Sequence, residues 1–143
     1  MRNIDPYTAR LRSVPLLSGS PSELRELTSL GTEVDVAQGY VLMREDDPGR
    51  EGFIVLSGRA SVEVDGVEVA TLGPGQIVGE MALLDRLPRS ATVRAQTPMR
   101  LLTLSALEFS TLLDRCPTIR RGVMRMVAER LRRVQGPVAV RSA

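Results

Sequence analysis

Hydrophobic and polar positions change their spacing twice along this chain of 143 residues. Apolar residues recur at helical spacing before Gly31, alternate with polar ones from Glu33 to Ser105, and return to helical spacing afterwards. The alternation, broken by glycine turns, predicts strands near residues 33–37, 40–43, 52–57, 60–64, 67–72, 77–78, 91–95 and 99–104. Eight such strands predict a mainly β fold, an eight-stranded double-sheet β jelly roll flanked by N-terminal helices and two C-terminal helices.

Local signals mark a helix and a hairpin within this pattern. The run 20–23, Ser-Pro-Ser-Glu, predicts a helix start in which serine is the cap, proline the first residue and glutamate the reciprocal partner of a capping box. Gly31 predicts the end of that helix. Asp65-Gly66 between two alternating runs predicts a two-residue hairpin.

The C-terminal part predicts two helices. Ser105 and Glu108 repeat the capping-box pattern and begin the first, which ends near Cys116-Pro117. The second, longer helix begins there and carries one apolar stripe. The stripe consists of Ile119, Val123, Met126, Val127, Leu131 and Val134.

The candidate site lies in the stretch 72–95, where three glycines surround one proline before a short apolar segment. A short helix that begins at Gly79 would present unpaired backbone N–H groups, which attract anions. Arg89 adds a planar cationic fork suited to a phosphate, and Ser90 adds a hydroxyl donor. Glu80 is a lone carboxylate beside an anion site, where it can accept hydrogen bonds from a sugar hydroxyl. The stretch predicts a pocket for one phosphate and one ribose.

Two segments of this stretch carry a resemblance to a known family. Residues 79–84 (Gly-Glu-Met-Ala-Leu-Leu) followed by 88–93 (Pro-Arg-Ser-Ala-Thr-Val) resemble the phosphate-binding cassette of cyclic-nucleotide-binding domains. That family includes sensory domains of the catabolite activator protein, cyclic-nucleotide-gated channels and the kinase A regulatory subunit. The resemblance extends over about residues 10–135. It implies a single domain, 1–143, with N-terminal helices 1–31, β-roll 32–105 containing the cassette 78–92, C-terminal helices 106–135 and tail 136–143.

The resemblance implies a role for each cassette residue. Glu80 would hold the ribose 2′-OH and Arg89 the cyclic phosphate, assisted by Ser90 and by the backbone of Met81 and Ala82. An internal ion pair between Glu80 and Arg89 is the alternative. The ligand-binding residues implied are Gly79, Glu80, Met81, Ala82, Arg89, Ser90, Ala91, Val62, Val69, Val78, Arg130 and Arg133.

Four of these residues lie outside the cassette and each has a plainer alternative. Val62 and Val69 are expected on the inner face beneath the sugar and base, although strand valines are also ordinary core. Arg130 is the candidate for contact with the purine, with Arg133 second. Helix arginines that only face solvent are equally compatible with the sequence.

Composition narrows the classes of function. Apolar residues make up 43% of the chain, there is no histidine, and the net charge is only +2. Catalysis and metal binding are not expected, because no Ser-His or Cys-His pair exists and Cys116 is the one cysteine. Cys116 is predicted to be a buried structural thiol. We therefore expect no enzyme activity, no cofactor and no metal, with cAMP or cGMP as the ligand.

The residue after the arginine bears on which nucleotide binds. Relatives with a small apolar residue there tend toward cAMP, and those with threonine also accept cGMP through its amino group. Ser90 lies between these cases, and we favour cAMP.

The sequence also leads to expectations about the partners of the protein and its cellular location. The signal would pass to an unknown protein partner or a missing effector domain, or through a homodimer at the C-terminal helix, whose apolar stripe could equally pack on the roll. A DNA-associated regulator of the catabolite activator type, lacking its helix-turn-helix in this chain, is an alternative. Nucleic-acid binding is not expected, because too few residues follow Val134 for that motif. A jelly-roll scaffold that has lost its ligand is a further alternative. No apolar run long enough for a membrane span exists, so cytoplasmic residence without membrane association is expected.

Overall fold

A computed structural model of the protein describes residues 20–48, 50–79, 89, 91–126 and 128–129. Three helices are present in these ranges: α1 (Pro21–Leu30), α2 (Ala106–Arg115) and α3, which runs over 117–126 with 128–129 also helical. The strands are β1 (Thr32–Val36), β2 (Val41–Met43), β3 (Glu51–Ser57), β4 (Ala60–Val64), β5 (Val67–Leu72), β6 (Ile77–Val78), β7 (Thr92–Ala95) and β8 (Met99–Ser105).

The eight strands form two antiparallel four-stranded sheets. One has the order β1-β8-β3-β6 and the other β2-β7-β4-β5. Each predicted strand has a counterpart whose ends differ by one residue or less. The prediction of a mainly β double-sheet jelly roll is confirmed.

The core has two parts because the first sheet is covered on both faces. Between the sheets, Val55 and Leu101 pack with Val93 and Ala60 of the opposite sheet. The outer face of the first sheet packs against all three helices, through residues such as Leu27, Phe109 and Ile119. Burial on both faces explains why β3 is a continuous apolar run instead of an alternating one.

The two predicted capping boxes have different outcomes. At α2 the box is complete: the Ser105 hydroxyl accepts from Glu108 N at 3.1 Å, and Glu108 Oε1 accepts from Ser105 N at 2.8 Å. At α1 the Ser20 hydroxyl accepts from Glu23 N at 3.2 Å, as expected. The predicted reciprocal bond, from Ser20 N to the Glu23 carboxylate, is wrong. The carboxylate accepts from backbone N–H groups of α3 instead.

The predicted turns are confirmed at Asp65-Gly66 and at Gly31. Asp65 and Gly66 have φ of 53° and 79°, as a two-residue turn between paired strands requires. Gly31 ends α1 with an ordinary φ of −84°. Glycine is needed there for space, since a Cβ would lie 2.6 Å from Leu102 Cγ.

The C-terminal helices pack on the β-roll. Val123 is 1% exposed within the cluster under the helices, and Met126 packs against that cluster. The described part of the apolar stripe is therefore occupied by the protein's own core. Leu107 is 76% exposed and lies outside the apolar face of α2.

Some predictions lie outside the described residues. They are the part of the N-terminal helices before residue 20, the stripe residues Val127, Leu131 and Val134, and the tail 136–143. Among the described helices, none combines the length and apolar character needed to cross a membrane.

Candidate ligand-binding site

Arg89 is a buried arginine, only 7% exposed, held by the loop that follows β2. Its backbone N–H donates to the carbonyl of Asp47 at 2.9 Å, and its own carbonyl accepts from Asp46 N at 2.8 Å. Asp46 has a φ of 72°, a left-handed conformation that aspartate tolerates better than most residues. The main chain of Arg89 is therefore fixed on both sides by two consecutive residues.

The guanidinium of Arg89 is fixed by backbone carbonyls. Nη2 donates to the carbonyl of Glu51 at 2.8 Å, and Nη1 donates to the carbonyl of Gly79 at 3.4 Å. These contacts use two of the five N–H groups that a guanidinium offers. The remaining donors keep a fixed direction, because the planar group cannot turn without losing both bonds.

The charge of Arg89 is poorly solvated. Burial lowers the pKa of Arg89, with the Glu51 carboxylate acting in the opposite direction, and an arginine remains protonated at neutral pH even so. Among the ion pairs formed by the described residues, none includes Arg89. A buried cation needs an opposite charge to offset its desolvation, so the site favours an anion.

Gly79 lies directly against this guanidinium. The chain leaves β6, paired with β3, and turns at Gly79 with a φ of +89°. A Cβ there would lie 2.6 Å from Arg89 Nη1 and 3.0 Å from the Glu51 carbonyl. Both the backbone conformation and the lack of space require glycine. Gly79 and Arg89, which the sequence placed in one motif, are in contact.

The loop that holds Arg89 is attached to two other parts of the second sheet through Glu45. Glu45 donates its backbone N–H to the Thr92 hydroxyl at 3.0 Å, and its Oε1 accepts from Asp65 N at 3.0 Å. The loop after β2 is thus tied to β7 and to the tip of the β4–β5 hairpin. Sequence patterns did not reveal this role of Glu45, nor the carbonyl of Glu51, because neither position carries a motif.

The other described candidates differ in how deeply they are buried. Ala91 and Val78 are buried, at 6% and 8% exposure, and Val62 packs against the core between the sheets. Glu80, Met81, Ala82, Ser90, Arg130 and Arg133 lie outside the described residues. The ribose contact, the purine contact and the alternative Glu80–Arg89 ion pair therefore stay predictions.

Val69 is not a core residue, although its place in an alternating strand allowed that interpretation. It is 59% exposed on the edge strand β5. The register shifts between the pairs Val62–Ala70 and Glu63–Glu68, which leaves Val69 without a cross-strand partner. The interpretation of Val69 as ordinary core is therefore wrong. Its contact with a ligand stays a prediction.

Fold and site together define a class of protein: a β-roll module with a buried arginine whose charge favours an anion. The sequence model of the family described as "Cyclic nucleotide-binding domain" matches residues 33–116, more than half of the chain. The chain belongs to the cyclic nucleotide-binding domain family. The resemblance on which the cassette was identified is confirmed at the level of the family.

Individual relatives agree with this assignment. The Pycsar effector protein PaPycTIR of Pseudomonas aeruginosa is 38% identical over 81% of this chain and 38% of its own length. A cAMP-dependent protein kinase regulatory subunit of Emericella nidulans is 36% identical over 80% of this chain and 29% of its own length. The chain thus spans well under half of these curated relatives.

A solved structure supports the fold independently. The catabolite activator protein of Thermus thermophilus superposes with a TM-score of 0.79 and 30% sequence identity, over 90% of this chain and 63% of that one. The family matched by residues 33–116 is described as a binding domain, which agrees with a regulatory role for these residues.

Proposed function

We propose that this chain is a sensory domain that binds a cyclic nucleotide, with cAMP preferred over cGMP. The observation that carries the proposal is the buried Arg89 guanidinium, anchored on the carbonyls of Glu51 and Gly79. A cyclic phosphate carries one negative charge and two terminal oxygens. Such a group matches the remaining donors of a fixed guanidinium and offsets its desolvated charge.

The other roles come from the family pattern. Glu80 accepts a hydrogen bond from the ribose 2′-OH. Ser90 contacts the phosphate, together with the backbone of Met81 and Ala82. Val62, Val69 and Val78 line the pocket beneath the sugar and base. Arg130, with Arg133 as the second candidate, contacts the purine.

The response passes through α3. Val123 and Met126 pack in the cluster formed by the helices and the first sheet, so a change in the position of α3 requires repacking of that cluster. Ligand that binds one arrangement of α3 more tightly shifts the population toward it, by no more than its differential affinity. The output is an effector region or a protein partner, since the relatives are much longer than this chain.

The preference for cAMP rests on two supports. Ser90 is smaller than the threonine that allows cGMP to bind through its amino group. The relative from Emericella nidulans is described as the regulatory subunit of a cAMP-dependent kinase. The proposed setting is the cytoplasm.

Titration calorimetry with cAMP and with cGMP tests the proposal. Wild-type protein, stripped of retained ligand and shown to be folded, should bind cAMP. Arg89→Ala removes a charge-assisted contact of about 2–3 kcal/mol, so the affinity should fall roughly thirtyfold to hundredfold.

Arg94→Ala is the matched control, because it removes the same charge five residues later. Arg94 is partly exposed and makes an ion pair of 3.7 Å with Glu63. It should keep the wild-type affinity within about twofold, since exposed ion pairs contribute little. Equal losses in the two variants, or no binding by folded wild type, would contradict the proposal and favour a scaffold without ligand.

A further inference from the structure

The start of α3 lacks a capping side chain of its own. Cys116 ends α2 by donating its N–H to Leu112 O at 2.9 Å, and its carbonyl accepts from Arg120 N at 2.8 Å in the first turn of α3. It therefore occupies the position where serine, threonine or aspartate usually caps a helix. Pro117 follows and has no N–H to satisfy, which leaves the N–H groups of Thr118 and Ile119 in need of an acceptor.

The Cys116 side chain is hydrogen-bonded to α1. Burial, followed by the nearby carboxylates of Glu23 and Glu26, raises the pKa of the Cys116 thiol to about 11. The thiol is therefore protonated at neutral pH, and its Sγ donates to the backbone carbonyl of Glu23 at 3.8 Å. Because sulfur is also a weak hydrogen-bond acceptor, Cys116 is a poor cap for the N–H groups of α3.

Glu23 supplies the missing acceptors from a distant part of the chain. Its Oε2 accepts from Thr118 N at 3.3 Å, and its Oε1 accepts from Ile119 N at 3.1 Å. These are the second and third residues of α3, whose N–H groups a capping side chain normally binds. The negative carboxylate is also favourable at the positive end of the helix dipole. One residue of α1 thus caps α3 across more than ninety residues of sequence.

Glu26, one turn further along α1, provides a contrast. Its Oε2 pairs with Arg115 Nη1 at 2.7 Å, at the end of α2. Both glutamates are partly buried and both connect helices, but only the Glu23 carboxylate holds backbone groups of α3. Substitution of Glu23 therefore tests the attachment of α3, and substitution of Glu26 tests the attachment of α1 to α2 alone.

We propose that Glu23 is a positioning residue for the ligand response: it fixes the start of α3 against α1 and so sets how readily α3 holds the arrangement that retains nucleotide. This proposal rests on the proposed function, in which α3 carries the response. Loss of the cap should loosen the first turn of α3 while the β-roll site at Arg89 stays intact. Nucleotide would then bind at the same site and leave sooner.

Amide hydrogen exchange and nucleotide dissociation, measured on the full chain, test the proposal. In Glu23→Ala the amides of Thr118 and Ile119 should exchange about tenfold faster or more, because each loses a charge-assisted hydrogen bond. Dissociation of cAMP should be about threefold to tenfold faster. Glu26→Ala should leave both sets of rates near wild type. Glu23→Gln, which keeps the size and one acceptor oxygen, should give intermediate values.

A rescue variant separates capping from loss of stability. Cys116→Ser in the Glu23→Ala background places a hydroxyl acceptor at the capping position of α3 itself. It should restore slow exchange at Thr118 and Ile119 and slow the dissociation of cAMP. The proposal is overturned if Cys116→Ser raises the exchange and dissociation rates further. It is also overturned if Glu26→Ala raises the exchange rates of Thr118 and Ile119.

Two further results have separate meanings. Faster amide exchange in Glu23→Ala with unchanged dissociation of cAMP would overturn the positioning role and leave a purely structural cap. Failure of wild type to bind either nucleotide would overturn the proposed function and its effect on dissociation. The exchange rates would still decide whether Glu23 fixes the start of α3.

Discussion

Gly79 and Arg89 are in such close contact that a single methyl group at Gly79 would lie 2.6 Å from Arg89 Nη1. The Gly79 carbonyl also accepts from the same nitrogen at 3.4 Å. One residue therefore both anchors the guanidinium and leaves the space that it occupies. The arginine cannot keep its place if the glycine acquires a side chain.

Gly79→Ala should abolish most nucleotide binding without unfolding the protein. The added Cβ displaces the Arg89 guanidinium, and the φ of +89° adds about 1–2 kcal/mol of backbone strain. Gly39→Ala is the matched control, because Gly39 has a φ of +90° and a Cβ there meets nothing within 4 Å. Calorimetry should show near wild-type affinity for Gly39→Ala and a loss for Gly79→Ala. Similar affinities at equal thermal stability would mean that the guanidinium position is not needed.

Gly31→Ala should destabilise the fold through lack of space alone. Its φ of −84° suits any residue, but a Cβ would lie 2.6 Å from Leu102 Cγ and 3.0 Å from the Thr103 carbonyl. Overpacking of this kind costs about 1–3 kcal/mol. Gly73→Ala, where a Cβ meets nothing within 4 Å, should change the free energy of unfolding by no more than about 0.5 kcal/mol. Urea denaturation compares the two, and equal stabilities would refute the explanation by close packing.

The Cys116 thiol should make stability fall at alkaline pH. Burial raises the pKa of Cys116 from 9.0 to about 11, so between these values the unfolded chain loses a proton that the native protein retains. The stabilisation is complete below about pH 9 and is lost as the pH rises through about 11. Urea denaturation of wild type and Cys116→Ala across this range should show a steeper decline in wild type. Parallel declines would show that the thiol is not the group responsible.

Ser90→Ala should weaken cGMP binding more than cAMP binding. In the proposed complex the hydroxyl reaches the 2-amino group of guanine, which adenine lacks, in addition to the shared phosphate. Competition titrations with both nucleotides measure the ratio of the two affinities. Equal losses would indicate that the hydroxyl serves the phosphate alone.

Local features were predictable because they depend on neighbours in sequence. The turn at Asp65-Gly66 follows from two residues that tolerate positive φ between alternating runs. The capping box of α2 follows from Ser105 and Glu108, three positions apart. Most strands followed from a period of two, and the cassette pattern placed Gly79 and Arg89 in one predicted site.

The sequence by itself determined the strands, the turns and the family, because each needs only residue types at fixed spacing. The tertiary structure decided which distant groups meet. Glu23 has the right spacing for a local cap, yet its carboxylate accepts from two N–H groups of α3 instead. Arg89 is held by the carbonyls of Glu51 and Gly79, and a carbonyl belongs to every residue type. The register shift at Val69 likewise depends on how β4 and β5 pair, which alternation alone does not encode.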